Sequence, residues 1–299
     1  IAIQDRSFNA DGSLFYPANR AFFEGLGDGS VSSTPGNIGA GLNIDFDPAI
    51  SDIAPIWNPE AFFNTMVVNG TTWPVLEVAP ALYRFRLLNG CNSRFLNLSL
   101  KPVDPLTGQP ITLRVTETRL LPNGKTRINT NAKLTELPFY QIGAEQSLLP
   151  QVVMIKTGSA TPLPGDGTVP SRLTAAASKD QALLMGLAER ADVLVDFRNL
   201  PNGTVVQMFN TAPDAPFGGF PDIPADPATT GQVMRFRVNN TLPVGPTAPT
   251  GATPATAPES LVLSLPDPLD PANGPALAGA RDLALIEEES ALVCVTIDA

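Results

Sequence analysis

Apolar and polar residues alternate with a period of two through much of this chain. In Tyr83-Arg84-Phe85-Arg86-Leu87 one face carries Tyr83, Phe85 and Leu87 and the other carries two arginines. Phe95-Leu96-Asn97-Leu98-Ser99-Leu100 sets Leu96, Leu98 and Leu100 against Asn97 and Ser99. Successive side chains of an extended strand point to opposite faces, so both segments are predicted to be half-buried strands. Val233-Met234-Arg235-Phe236-Arg237-Val238 repeats the pattern, whereas residues 152–155 and 193–195 are continuous apolar runs suited to buried strands. Helical periodicity is scarce. The one helix-like patch, Ala188-Glu189-Arg190-Ala191, is about one turn long and runs into the strand expected over 192–197.

Between these strands stand Asp11-Gly12, Asn69-Gly70, Asn123-Gly124 and Asn202-Gly203, dipeptides that tolerate the positive φ of tight hairpin turns. With 31 Pro and 24 Gly punctuating the chain, long helices have few places to form. Many short strands joined by such turns predict an all-β antiparallel sandwich or barrel. Residues 24–55 carry little periodicity and are expected to form a long surface loop. Residues 241–280 hold nine prolines among Thr, Ala and Gly, with one apolar island at Leu261-Val262-Leu263, and predict a linker or extended crossover. Beyond it, 281–286 and 291–297 are expected to open a further domain. The chain starts at Ile1 in a segment that already has strand character, which predicts a piece of a longer protein.

A length of 299 residues makes room for about two domains. The net charge of −10 comes from 19 basic and 29 acidic residues, and the basic ones are scattered singly, so nucleic acid is not an expected partner. No apolar run reaches the roughly 20 residues of a membrane helix, and a soluble chain without a membrane span is expected. The most selective figure is the absence of His. It removes Ser-His-Asp and Cys-His catalysis, His-based zinc sites, blue-copper sites and His-ligated haem at once.

Other chemical signals are weak. Lys156-Thr157-Gly158 matches one element of the penicillin-recognising serine enzymes, but the Ser-x-x-Lys nucleophile is missing. Asn123-Gly124-Lys125-Thr126 ends like a phosphate-binding loop, yet Arg119 stands where the first glycine belongs, and a hairpin turn is the better reading. Asp45-Phe46-Asp47 begins like a calcium loop, but Ile50 occupies the glycine position. Glu287-Glu288-Glu289 reads as a solvated turn. Cys91 and Cys294 lack an imidazole or a clear cationic neighbour to activate them and are expected to be small buried residues rather than nucleophiles.

Three segments in order carry a family resemblance. The first is Ile3-Gln4-Asp5-Arg6-Ser7-Phe8 with Asp11-Gly12-Ser13-Leu14-Phe15-Tyr16-Pro17. The second runs from Asn69-Gly70-Thr71-Thr72-Trp73-Pro74-Val75-Leu76-Glu77-Val78 through Tyr83-Arg84-Phe85-Arg86-Leu87-Leu88-Asn89 to Asn92-Ser93-Arg94-Phe95-Leu96-Asn97-Leu98-Ser99-Leu100. The third is Leu187-Ala188-Glu189-Arg190-Ala191-Asp192-Val193-Leu194-Val195-Asp196-Phe197. Together they resemble the central domain of multicopper oxidases, the bacterial laccase and bilirubin-oxidase-like branch above all. Residues 101–139 and 156–180 are longer than compact members need, and Glu145-Gln146-Ser147 replaces a more acidic, glycine-rich turn.

The resemblance implies a cupredoxin-like Greek-key sandwich over 1–240, a Pro-rich linker over 241–280 and the first strands of a third cupredoxin domain over 281–299. It implies a parent that oxidises a phenol, bilin, aminophenol or metal-type reductant and reduces dioxygen to water. The copper of that chemistry is held by His and Cys of the flanking domains, which are the expected partners, and the setting is extracytoplasmic. No residue of this chain is assigned a catalytic, cofactor-binding or metal-ligating role, so the chain alone is expected to be inactive. In the residues themselves, Trp73-Pro74 is expected to anchor the core and end a strand, and the arginines beside Tyr83, Phe85 and Leu87 to pair with carboxylates. A copper-free sandwich that serves as an interaction module is the alternative, and a carboxylate-dependent hydrolase has no motif behind it.

Overall fold

A computed structural model describes residues 1–15, 42–43, 61–120, 125–145, 147–156, 182–214, 224–244, 257–263 and 296–297. In chain order the strands are β1 (Ala2–Phe8), β2 (Leu14–Phe15), β3 (Leu42–Asn43), β4 (Thr65–Val68), β5 (Thr71–Thr72), β6 (Val75–Val78), β7 (Leu82–Asn89), β8 (Leu96–Val103) and β9 (Leu113–Leu120). They continue as β10 (Thr126–Leu134), β11 (Phe139–Ala144), β12 (Ser147–Ile155), β13 (Leu183–Met185), β14 (Arg190–Asp196), β15 (Val205–Asn210), β16 (Gln232–Val238) and β17 (Thr296–Ile297). Among the described residues the helical content is a single 3₁₀ turn, Pro258–Ser260.

The chain divides into two units, Ile1–Arg6 with Phe62–Pro266, and Ser7–Ala61 with Asp267–Ala299. In the larger unit one sheet runs in the order β12-β11-β14-β7-β1-β4-β5 and a second in the order β13-β8-β15-β16-β6. Most neighbours are antiparallel; β1 lies parallel to β7 and β16 parallel to β6. The chain passes directly between these two sheets after β5, β6, β7, β12, β13 and β14, which makes a Greek-key sandwich of the cupredoxin-like type. In the smaller unit the described residues form the Ser7–Phe15 and Phe8–Leu14 pairs and the short β17–β3 ladder.

Alternation accounts for the core. Phe85 and Leu87 point inward from β7 while Arg84 and Arg86 face outward. Facing them, β16 buries Val233, Phe236 and Val238. Phe85 and Phe197 each meet Phe236 at 5.4 Å between ring centroids, in tilted geometry that suits aromatic quadrupoles. Val193, Leu194 and Val195 are buried, as the continuous run predicts for a strand covered on both faces.

Four local expectations need correction. Residues 152–155 are not a buried strand: they end β12 at the sheet edge, where Ile155 is buried and Met154 is 49% exposed. Strand β8 is buried on both faces, because Asn97 and Ser99 face into protein. There the Asn97 backbone N–H donates to Asn210 Oδ1 at 3.0 Å and the Asn97 side-chain amide to Thr211 Oγ1 at 2.8 Å. Trp73 anchors no core: it sits at φ +41 on the corner where the chain leaves β5 for β6, and it is 37% exposed. Asn202-Gly203 turns the chain between sheets, from β14 to β15, and closes no hairpin.

Asn69-Gly70 does close one. Both residues have positive φ, 49° and 85°, as the two central positions of a type I′ turn between β4 and β5 require. Strands β9 and β10 pair antiparallel and account for much of the extra length in 101–139, while Asn123-Gly124, where a turn is expected, lies outside the described residues. The apolar island 261–263 forms no strand, and Val262 is almost fully exposed. Within 24–55 the short strand β3 interrupts the expected loop, and its other residues lie outside the described set, as do most of 241–280 and 281–299.

Candidate functional site

Two places in the larger unit concentrate chemistry. The first is the turn joining β7 to β8, where Arg94 is 1% exposed. Its Nε donates to Asp5 Oδ2 at 3.3 Å, Nη2 to the Phe63 carbonyl at 2.8 Å, and Nη1 to the Pro213 carbonyl at 3.1 Å and to Asp214 Oδ1. The guanidinium also lies over the Phe62 ring, 5.7 Å from its centroid. Asp5 is wholly buried on β1 and accepts two backbone N–H groups, from Phe63 at 3.0 Å and Asn92 at 3.1 Å. Asp214 accepts from Thr230 Oγ1 at 2.5 Å. Asn89 closes the turn from the other side, donating to the Arg94 and Met185 carbonyls and accepting from the Cys91 N–H.

The result is a buried ionic clasp. It ties the first strand to the β7–β8 crossover and to the segment after β15, and the charged groups are hydrogen-bonded as their burial demands. Nothing in it is poised as a nucleophile. Cys91 sits beside it at 8% exposure, its Sγ 3.8 Å from the Ile3 carbonyl. Burial, and then the Asp5 charge, push the thiol well above its ordinary pKa, so it stays protonated and unreactive. The expectation of a small buried residue holds there; Cys294 lies outside the described residues.

The second place is an open groove of about 640 Å³ between β12 and β13, floored by Val153, Ile155, Leu183 and Met185. At its rim Glu145, held at φ +55 in the turn after β11, pairs with Arg190 at 2.7 Å. Glu189 accepts the Gly186 N–H at 2.6 Å. The groove can accommodate an apolar group, but the carboxylates around it are engaged in structural bonds.

The outward arginines pair as expected: Arg84 makes a bidentate contact to Asp192 across the β7–β14 ladder, with Nε at 2.9 and 3.1 Å from the two oxygens. That contact raises the guanidinium pKa further. Of the weaker motifs, Lys156 is an exposed residue just past β12; Asp45-Phe46-Asp47, Ile50 and Glu287-Glu288-Glu289 lie outside the described residues. Among the described residues no three His, Cys, Asp or Glu side chains gather as a metal-ligand set. With no imidazole in the sequence, the donors present do not fit a blue or trinuclear copper centre. Sequence inspection missed the clasp, although Arg94 and Asp5 both fall inside the segments that carry the family resemblance.

No protein-family model matches the chain. It is 28% identical to a laccase of Bacillus subtilis over 242 residues, 81% of this chain and 29% of the laccase. It is 28% identical over 239 residues to the multicopper oxidase LPR1 homolog 1 of Oryza sativa, and 31% identical over 183 residues to homolog 5. Over most of its length the chain is similar to multicopper oxidases. It covers 80% of its own length in the first rice match and 61% in the second, but only 25% and 20% of those proteins, so it spans about a quarter of the multicopper oxidases it resembles. The McoA multicopper oxidase of Aquifex aeolicus aligns with 80% of the chain and 30% of its own, at 21% identity and a TM-score of 0.40. Among the described residues no helix is long and apolar enough to cross a membrane.

Proposed function

We propose that this chain is a copper-free scaffold segment of a multicopper oxidase, the central cupredoxin domain of a longer enzyme. The observation that carries the reading is the conjunction of multicopper oxidase relatives with a sequence that contains no His. Copper sites of that chemistry need imidazole and thiolate, so the ligands belong to other parts of the parent. The activity that goes with this reading is a copper-dependent oxidation of a small reductant, of phenol, bilin, aminophenol or metal-ion type, coupled to reduction of dioxygen to water, and it would fall to residues outside this chain.

The contribution of the chain itself is positional. The Arg94 clasp and the aromatic core make one stiff body of the sandwich, and a stiff body can hold neighbouring domains at the separation their shared site needs. The domain limits that go with this reading are 1–240 for the central domain, 241–280 for the linker and 281–299 for the start of the next cupredoxin domain. The flanking domains are its partners, and the parent works outside the cytoplasm.

The test is the complete reading frame on both sides. His-x-His pairs upstream and downstream, with a His-Cys-His run near the end, are the expected result. Their absence would overturn the oxidase reading and leave a copper-free interaction module.

A further inference from the structure

The β9–β10 hairpin carries Arg114, Arg127 and Lys133, all exposed, against one exposed carboxylate, Glu117. Its root is apolar: Leu113, Val115 and Leu134 pack against the core, which fixes the hairpin to the sandwich. On the outer face of that root the register sets like charges at directly opposed positions, Arg114 across from Lys133. Opposed like charges destabilise a strand pair. Elsewhere in the larger unit Arg84, Arg94, Arg190, Arg198 and Arg237 each reach a carboxylate. On the hairpin Arg114 donates only to the Asn131 carbonyl, at 3.4 Å, and no described carboxylate lies within ion-pair distance of Arg114, Arg127 or Lys133.

A chain of net charge −10 thus gathers three cations without a described carboxylate partner, Arg114, Arg127 and Lys133, on one hairpin. Charged side chains do guard exposed strand edges against unwanted pairing. That duty needs charge but not a single sign, and alternating signs would perform it without the cost of opposed cations. The excess of one sign points outward, to an anionic partner.

We propose that the β9–β10 hairpin is a docking arm for an acidic, extended segment of a partner protein. Guanidinium groups bind carboxylates through paired, charge-assisted hydrogen bonds. Thr116, Asn129, Thr130 and Asn131 are exposed between the cations and offer further donors and acceptors. The sheet has two strands, so among the described residues both outer edges are without a ladder partner and an extended segment can add as a third strand. A lipid surface fits less well, because Ile128 is the one large exposed apolar side chain among the hairpin's described residues. Nucleic acid fits less well again, because β9 and β10 carry no aromatic residue for base stacking.

The experiment measures binding of the full chain to a fluorescent polyglutamate peptide by anisotropy, with polylysine and phosphatidylserine vesicles as competing probes. Saturable binding to polyglutamate that weakens with added salt is expected. The triple variant Arg114→Thr, Arg127→Thr, Lys133→Thr is expected to bind at least about tenfold more weakly. Its melting temperature is expected to hold or rise, because opposed cations are gone. Arg114→Thr alone is expected to act in the same direction, and Arg84→Thr, remote from the hairpin, to leave binding unchanged. Three results would overturn the proposal: no binding to polyglutamate, equal binding by the triple variant, or preferential capture by vesicles. So would a melting temperature that drops while binding persists, which would make the cations structural.

Discussion

Replacing Arg94 by Met tests the clasp that joins β1 to the rest of the sandwich. The substitution keeps most of the side-chain volume and removes a guanidinium that makes hydrogen bonds to Asp5, Asp214 and the Phe63 and Pro213 carbonyls. The Asp5 carboxylate then stays wholly buried with only the Phe63 and Asn92 N–H groups to balance its charge. Breaking a buried pair by removing one partner costs about 3–5 kcal/mol, a large part of the roughly 5–15 kcal/mol that holds a domain folded. Changing both members to apolar residues, Arg94→Met with Asp5→Leu, removes the stranded charge as well as the pair. The double variant is therefore expected to recover about 2 kcal/mol relative to the sum of the single changes. The assay is urea unfolding followed by far-UV circular dichroism, with amide exchange of β7 and β8 to localise the loss. A cost for Arg94→Met below about 1 kcal/mol, or additivity within about 0.5 kcal/mol, would refute the reasoning.

Ser99 offers the opposite case: its Oγ is buried without a hydrogen-bond partner among the described residues, so Ser99→Ala is expected to be neutral or to stabilise by up to about 1 kcal/mol in the same assay. Arg84→Ala removes a well-formed but solvent-facing contact to Asp192, with Arg84 47% exposed, and is expected to cost no more than about 1 kcal/mol. Burial raises the pKa of Cys91, and burial with the Glu259 and Asp196 charges raises that of Tyr140. Both groups hold their protons longer in the folded chain than in the unfolded one. Their contribution is complete below the unfolded thiol value near pH 8.5 and is lost as pH rises beyond it, about 1.4 kcal/mol per unit for each group over its window. Stability measured from pH 7 to 11 should fall accordingly, and peptide mapping should find Cys91 alkylated in urea but not in the native chain at pH 9.

Much of the sandwich is legible in the sequence because period-two alternation reports burial on one face. It works at Tyr83, Phe85 and Leu87, where solvent lies on the other side and the arginines say so. It fails where tertiary context overrides the pattern. Asn97 and Ser99 look like a solvated face, but β8 is a central strand on which both are buried, and Asn97 is bonded to the end of β15 and the residue after it. Residues 152–155 look like a core strand, but β12 lies at an edge, and no local pattern distinguishes edge from centre. Trp73 follows the rule that aromatics seek the core only until φ turns positive at the corner between sheets. The clasp was invisible for a different reason: Asp5, Arg94 and Asp214 stand 89 and 120 residues apart as pairs with Arg94, and only the Greek-key crossing brings them together.

The central claim is that copper chemistry in the parent is carried outside this chain. Its most direct measurement is the copper content and visible absorbance of the purified chain after loading with copper and exhaustive dialysis. No stoichiometric copper, no blue band and no oxidase activity are expected. One tightly held copper per chain with blue absorbance would contradict it.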